Sequence, residues 1–353
     1  MITIAVDAMG GDYAPDAVID GVGRALDATP DTYRFLLVGL EEKLQNSLKR
    51  IGKRGDSRIE LVHAEEVVHM DDAPAAAMRS KRKSSINVAV ELVKEGKAAA
   101  VISAGNTGAA VASTVVKLRT LQGIERPGIA PAFPSPSGHF VLLDAGATVD
   151  CKPIHLVHYA VMGDVYAQHI LGYEKPRIGL LNVGGEQLKG NELTKETYKL
   201  LKELPRINFV GNVEGHDLFC DNVDVVVCDG FVGNVVLKCC ENLASTLGSM
   251  MRQFMKKSIW RKSGYMLARN AFRELKGMSD YAEYGGAPLL GVDGVCIIGH
   301  GSSCPRAIQN AIRVAGEFVE HQVNRHIIER IANLGLHESD NDGEPAESAT
   351  ASG

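Results

Sequence analysis

Several short stretches of this chain carry residue types suited to catalysis or to holding an anion. Ser103-Ala104-Gly105-Asn106-Thr107-Gly108 follows the apolar run AAAVI directly. A strand handing over to a helix there presents backbone N–H groups and the positive end of a helix dipole, a cradle for phosphate or an oxyanion. Asp7-Ala8-Met9-Gly10-Gly11-Asp12 follows ITIAV in the same way, and NVGGEQLKGNE, from Asn182 to Glu192, follows IGLL. The last of these carries Lys189, a full positive charge, and Asn191, an amide donor. Asp144 opens DAGA after FVLL, Asp229 and Gly230 open DGFVGN with Asn234 at its end, and His300 and Ser302 lie in GHGSS after VCII. A histidine at a strand end suits proton transfer or oxyanion donation. For any one loop the plainer reading is a tight glycine turn. Six loops at the ends of apolar runs point instead to a shared rim, since ligands of open α/β sheets sit beyond the carboxyl ends of the strands.

Other chemistries fit less well. DAMGGD is not G-x-G-x-x-G, and in GGEQLKGNE the lysine precedes its glycine, so neither nucleotide fingerprint is present. No G-x-S-x-G elbow marks a serine nucleophile. Cys304 lies near His300, but the Pro305 that follows fits a helix start equally well. Asp217 and Asp221 form a D-x-x-x-D pair that would face a metal if it lay on a helix, although a solvated acidic turn is the simpler reading. Neither a cofactor nor a metal is expected.

The elements that must position these residues are legible as alternation. Strand-like runs near residues 2–6, 35–38, 59–62, 98–102, 140–143, 177–181, 207–210, 223–228 and 294–298 are separated mostly by helical-length segments. Runs of Val, Ile and Leu without polar alternation suggest strands buried on both faces. The pattern predicts an α/β fold, with layers of helices around a mainly parallel central sheet. Ser84 or Ser85, and Asn106 or Thr107, read as helix N-caps, and Pro153 suits a first turn. Ala307 to Leu334 reads as one long closing helix. We expect a single domain over 1–334 and a disordered acidic tail over 335–353, which holds five acids and no Lys or Arg.

Composition narrows the partners. Of 353 residues, 5% are aromatic, too few for a nucleic-acid stacking platform, and the seven cysteines show no paired spacing, as expected of reduced thiols. The start MITIAVDAMGGD lacks a basic n-region, so no signal peptide is expected, and no apolar run reaches the roughly 18–20 residues needed to span a bilayer. Met250 to Met278 holds eight Lys or Arg against one acid, a net +7 that leaves −12 for the remainder of a chain totalling −5. Within a basic amphipathic excursion at about 248–280, Lys256, Lys257, Trp260, Arg261 and Lys262 suit an anionic bilayer surface or an acidic protein, and Gly264 is expected to divide the segment into a helix pair. A solvated lid or dimer-packing hairpin fits the same residues. A second basic cluster, Arg79, Lys81, Arg82 and Lys83, precedes Ser84.

Taken in order, DAMGGD, SAGNTGA, DAGA, LNVG with KGNE, DGFVGN, YGGAPLLG and HGSS resemble the bacterial acyl-acyl carrier protein:phosphate acyltransferases over Met1 to about Leu334. The resemblance implies a three-layer α/β/α sandwich with a mainly parallel central sheet, like that of isocitrate and isopropylmalate dehydrogenases and phosphate acetyltransferase. It further implies a cytoplasmic, peripherally membrane-associated homodimer that transfers a long-chain acyl group from acyl-acyl carrier protein to inorganic phosphate. The acyl phosphate would feed a membrane glycerol-phosphate acyltransferase in phospholipid synthesis. Two alternatives share the same motifs: a metal- and NAD-dependent decarboxylating dehydrogenase using Asp217 and Asp221, and a non-catalytic membrane or carrier-protein scaffold.

Overall fold

The computed structural model describes residues 1–29, 31–136, 138–270, 272 and 285–335. Twelve strands are described: β1 Ile2–Asp7, β2 Tyr33–Gly39, β3 Ile59–His63, β4 Ala100–Ser103, β5 Gly128–Ile129, β6 Ala132–Ser135, β7 Gly138–Leu143, β8 Ile178–Leu181, β9 Phe209–Val213, β10 Val225–Val227, β11 Ala287–Leu290 and β12 Val295–Ile298. They divide between two sheets. A seven-stranded sheet runs β3-β2-β1-β4-β12-β11-β5, and a five-stranded sheet runs β6-β7-β10-β8-β9. In the first, β3, β2, β1, β4 and β12 are mutually parallel, while β11 is antiparallel to β12 and β5. In the second only β6 is antiparallel. The α/β class and the mainly parallel strands agree with the sequence pattern.

The chain leaves the first sheet after β5, builds the second, and returns with β11 and β12. One apolar cluster draws on both sheets, taking Ile4, Val6 and Ala100 from the first and Val141, Leu143, Ile178 and Val225 from the second. Helix α6 (Pro153–His169) explains part of this continuity. Every residue from His155 to Ala167 is buried, as expected of a helix covered on all sides. Its buried Asp164 accepts a hydrogen bond from Arg330 Nη1 at 2.5 Å.

Helix α5 (Thr107–Leu118) begins at Asn106, whose Oδ1 accepts the Ala109 N–H at 3.0 Å. Ser84 occupies the N-cap position of α4 (Ser85–Lys94), but its hydroxyl makes no capping bond. The long closing helix is two helices, α10 (Pro305–Glu320) and α11 (Val323–Asn333), separated at Gln322 by a left-handed φ of 48°. In the basic segment, α8 (Gly230–Lys256) ends at Lys257-Ser258 and α9 (Ile259–Leu267) runs through Gly264, so the break lies earlier than the glycine suggested. The part of that segment at 271 and 273–280, and the tail at 336–353, lie outside the described residues. No described helix is long and apolar enough to cross a membrane.

Candidate active site

The carboxyl ends of β1, β4 and β12 are neighbours, and the three loops that leave them interlock. Ser103 Oγ donates to Asp7 Oδ2 at 2.7 Å and accepts the Gly105 N–H at 3.2 Å. Asp12 N–H donates to Gly301 O at 2.8 Å, and Gly299 N–H to Ser103 O at 2.8 Å. Glycine is required where these backbones meet: a Cβ on Gly10 would lie 2.7 Å from both Asp7 Oδ2 and Gly105 N. Burial pushes the Asp7 carboxyl above its ordinary range, opposed by hydrogen bonds from the Ser85 and Ser103 hydroxyls and the Met9 and Gly10 amides. Ser85 was not read as part of this group. It lies at the start of a helix and carries no loop signature.

Asn106 ties two loops together. Its Oδ1 caps α5, and its Nδ2 donates to Met70 O and Asp72 O, both at 3.0 Å, tying the 69–72 loop to the rim. Thr107 and Gly108 form the first turn of α5, where backbone N–H groups precede any intrahelical acceptor. His300 stands at the end of β12. Its Nδ1 lies 2.8 Å from Ser302 Oγ and accepts the Ser302 N–H at 3.2 Å.

The second sheet contributes a matching set of loops. Asp144 is fully buried: Oδ1 accepts the amides of Ile129, Gly146 and Ala147, and Oδ2 that of Thr148, at 2.7–3.0 Å. Burial raises this carboxyl as well, against those four amides, so its role is to shape the loop. Asp229 caps α8 by accepting the Val232 N–H at 2.9 Å, and Gly230 N–H donates to Thr148 O at 2.9 Å. Asn234 then packs against Gly146, where a Cβ would sit 3.4–3.5 Å from its side chain.

Beside them, the loop after β8 is wound tightly. Asn182 Nδ2 donates to Lys189 O at 3.1 Å, and its Oδ1 accepts the Val183 N–H at 2.8 Å. Asn191 caps α7 (Glu192–Glu203) through the Thr194 N–H at 2.9 Å. Asn182 holds the loop through both ends of its amide, Asn191 uses its Oδ1 for the cap, and Lys189 is exposed between them.

Helix α8 links the two rims. It starts at Asp229 in the second sheet's loops, and Glu241, three turns along, reaches the first sheet's His300 at 3.7 Å from Nε2. Lys238 Nζ lies 2.9 Å from the same Glu241 oxygen. A shallow cavity of about 330 Å³ is lined by Asn234, Val235, Lys238, Cys239 and Asn242 along this helix. Glu241 went unnoticed in the sequence because a carboxylate on a long polar helix surface carries no distinguishing spacing.

The remaining candidates fall elsewhere. A cavity of about 200 Å³ lined by Arg82, Lys83, Glu91 and Lys117 lies on α4 and α5, where Lys83 pairs with Glu65 and Lys117 with Glu91. Lys81 pairs with Asp72. The D-x-x-x-D pair is in a turn, not on a helix: Asp217 Oδ2 accepts the Glu214 N–H at 2.9 Å, and Asp221 has a φ of 55°. It therefore does not form the helix-face metal site that its spacing allowed. Cys304 is the N-cap residue of α10, exposed, followed by Pro305 in the first turn.

Two mainly parallel sheets, with glycine loops at their strand ends and a helix running from one set of loops to the other, define an α/β protein. Comparison with known proteins gives the particular family. The profile of the fatty acid synthesis protein family matches residues 2–326, and the chain belongs to that family, whose curated members similar to it are named phosphate acyltransferases. The chain is 51% identical over 328 residues to the phosphate acyltransferase of Geobacter sulfurreducens, covering 93% of this chain and 94% of that one. It is 50% identical over 331 residues to that of Pelotomaculum thermopropionicum, covering 94% and 95%. Among solved structures, a branched-chain phosphotransacylase from Enterococcus faecalis has the same fold with a TM-score of 0.59 at 16% identity, covering 91% of this chain and all of that one.

Proposed function

We propose that this enzyme transfers a long-chain fatty acyl group from acyl-acyl carrier protein to inorganic phosphate. A phosphate oxygen attacks the thioester carbonyl, the C–S bond breaks, and the carrier thiolate takes up a proton as acyl phosphate leaves. The observation that carries the reading is the pair of interlocked glycine rims, in a chain half identical to named phosphate acyltransferases. Phosphate is already a competent nucleophile near neutral pH, so the protein's task is to position it and stabilise the tetrahedral oxyanion. The amides of Gly11, Thr107 and Gly108, with Lys189, bind phosphate. Asn234 and His300 donate to the oxyanion or carry the proton.

Incubation with acyl carrier protein thioester and phosphate, followed by hydroxylamine trapping, tests this directly. Wild-type protein should give acyl hydroxamate, and Lys189→Ala should lower the rate roughly 10²–10³-fold, as for removal of one transition-state donor, without loss of fold. Equal hydroxamate from both proteins would remove Lys189 from the scheme, and none from wild type would remove the reaction.

The same reading includes a homodimer and a membrane contact, each supported by α8 and α9. Leu243, Leu247, Met250 and Phe254 follow the alternating four- and three-residue spacing of a coiled-coil seam, and they are 61%, 56%, 43% and 43% exposed. A second copy of the helix fits that seam. Beyond it, Trp260, Met266 and Leu267 are 84%, 75% and 89% exposed beside Lys256, Lys257, Arg261 and Lys262, a composition suited to an anionic bilayer surface. A membrane glycerol-phosphate acyltransferase would receive the product there.

A further inference from the structure

We infer that the rim of the second sheet carries the acyl chain, on an apolar surface made by Val149, Val183, Leu188 and Phe231. The inference rests on the acyltransferase reading for the identity of the ligand; the surface itself does not. β7, β10 and β8 are neighbours, with Leu143, Val227 and Leu180 in register across them, so their loops leave side by side. Each loop puts large apolar side chains into solvent: Val149 after β7, Phe231 after β10, and Val183 and Leu188 after β8, all more than half exposed. Gly230 N–H donates to Thr148 O at 2.9 Å, and Phe231 and Val149 are the residues that follow this pair. The loops that leave β1, β4 and β12 differ. They present glycine amides with Asp12, His300 and Ser302, and among the described residues Tyr13 is the only large apolar side chain exposed on them.

Apolar residues scattered singly over a surface need no explanation, but these adjoin the groups proposed to do the chemistry. Phe231 and Asn234 are three residues apart on α8, hence neighbours on one face. Leu188 immediately precedes Lys189, and Gly146, in the loop that carries Val149, packs against Asn234. The alkyl chain of a thioester is bonded to the carbonyl carbon. A carbonyl held at Asn234, beside phosphate at Lys189, must therefore lay its first methylenes on whatever adjoins those residues, and that surface is apolar. A straight saturated chain gains roughly two- to fourfold in affinity for each methylene so removed from water. The two rims thus divide the substrates: the first supplies amides for phosphate, the second a surface for hydrocarbon.

Binding of acyl carrier protein thioesters of four to sixteen carbons, read by anisotropy of a label on the carrier in phosphate-free buffer, tests this without turnover. Wild-type affinity should rise with each added methylene until the chain outgrows the patch. The double variant Leu188→Ser, Phe231→Ser should bind the hexadecanoyl carrier about tenfold more weakly, and the butanoyl carrier within about twofold of wild type. Leu188→Met keeps an apolar side chain of similar volume and should match wild type at both lengths. In the hydroxamate assay the double variant should raise KM for the long-chain thioester alone, with KM for phosphate within about twofold. Equal loss for short and long chains, or no loss, would overturn the assignment. So would a variant that sediments as a monomer while keeping the wild-type dependence on chain length, because a second copy of the protein would then be the occupant. If wild type forms no hydroxamate the acyltransferase reading fails, while the binding series still decides whether this surface holds hydrocarbon.

Discussion

Ser103 Oγ donates to Asp7 Oδ2 across 96 residues of sequence, joining the ends of two adjacent parallel strands beneath the proposed phosphate cradle. The serine also accepts the Gly105 amide, so one hydroxyl fixes a buried carboxylate and the backbone of the neighbouring loop. Asp7 is 3% exposed, and its other donors are the Ser85 hydroxyl and the Met9 and Gly10 amides.

Ser103→Ala should therefore cost about 2 kcal/mol of stability, the range for a hydrogen bond to a buried charged group. It should also slow hydroxamate formation, because Gly105 loses its acceptor. Urea unfolding and the trapping assay on one preparation measure both effects. A variant with native stability would show that Asp7 finds an equivalent donor.

Arg330 and Asp164 form the most buried ion pair described, with the carboxylate side chain 2% exposed and the guanidinium 23%. Burial raises the Asp164 carboxyl, against the pull of Arg330 and Gln168. Arg330→Met should destabilise by about 3–5 kcal/mol by leaving that carboxylate unpaired, whereas adding Asp164→Asn should restore much of the loss. A double-mutant cycle with no coupling would contradict this.

Asp56 supplies a pH-dependent term. Its hydrogen bonds and ion pair with Arg58 lower its carboxyl from 3.8 to about 2, against a cost of burial. A carboxyl depressed in the folded state adds stability above its unfolded value, and that stability is lost as pH falls through the folded value. Allowing for solvent screening, Asp56→Asn should cost about 1 kcal/mol at pH 7. The difference from wild type should fade between about pH 4 and pH 2. Parallel urea titrations across that window check the sign.

The exposed seam of α8 makes a fourth prediction. Leu247→Glu places a charge in the middle of the apolar stripe, between Leu243 and Met250. Sedimentation should show the wild type as a dimer and the variant as a monomer at micromolar concentration, with helix content preserved. A monomeric wild type would remove the seam argument altogether.

Much of this architecture was visible in the residues. The nine apolar runs are strands, and the loops that follow β1, β4 and β12 do converge. The strands that escaped notice are β5, β6 and β11, two to four residues long and carrying Gly128, Pro134 and Pro288, with too few apolar positions to register as runs. The division into two sheets is a matter of long-range pairing, which local periodicity does not encode. Gln322 ends a helix through a left-handed backbone without a glycine or proline to announce it. Within the site, residue type suggested side-chain chemistry for Asn106, Asn182, Asn191 and Asp144, and the structure adds cap and loop hydrogen bonds at each that local spacing does not encode.

The return of the chain to its first sheet has a consequence for synthesis. β4 acquires its neighbour β12 only after the whole second sheet has been made, because β12 ends at Ile298. Until then a ribosome-bound chain carries the apolar edge of β4 unpaired, the kind of surface that recruits wrong partners and calls for chaperone cover. The loop with His300 arrives with that same late strand. The interlock of the three glycine loops is therefore completed only after β12 has been made.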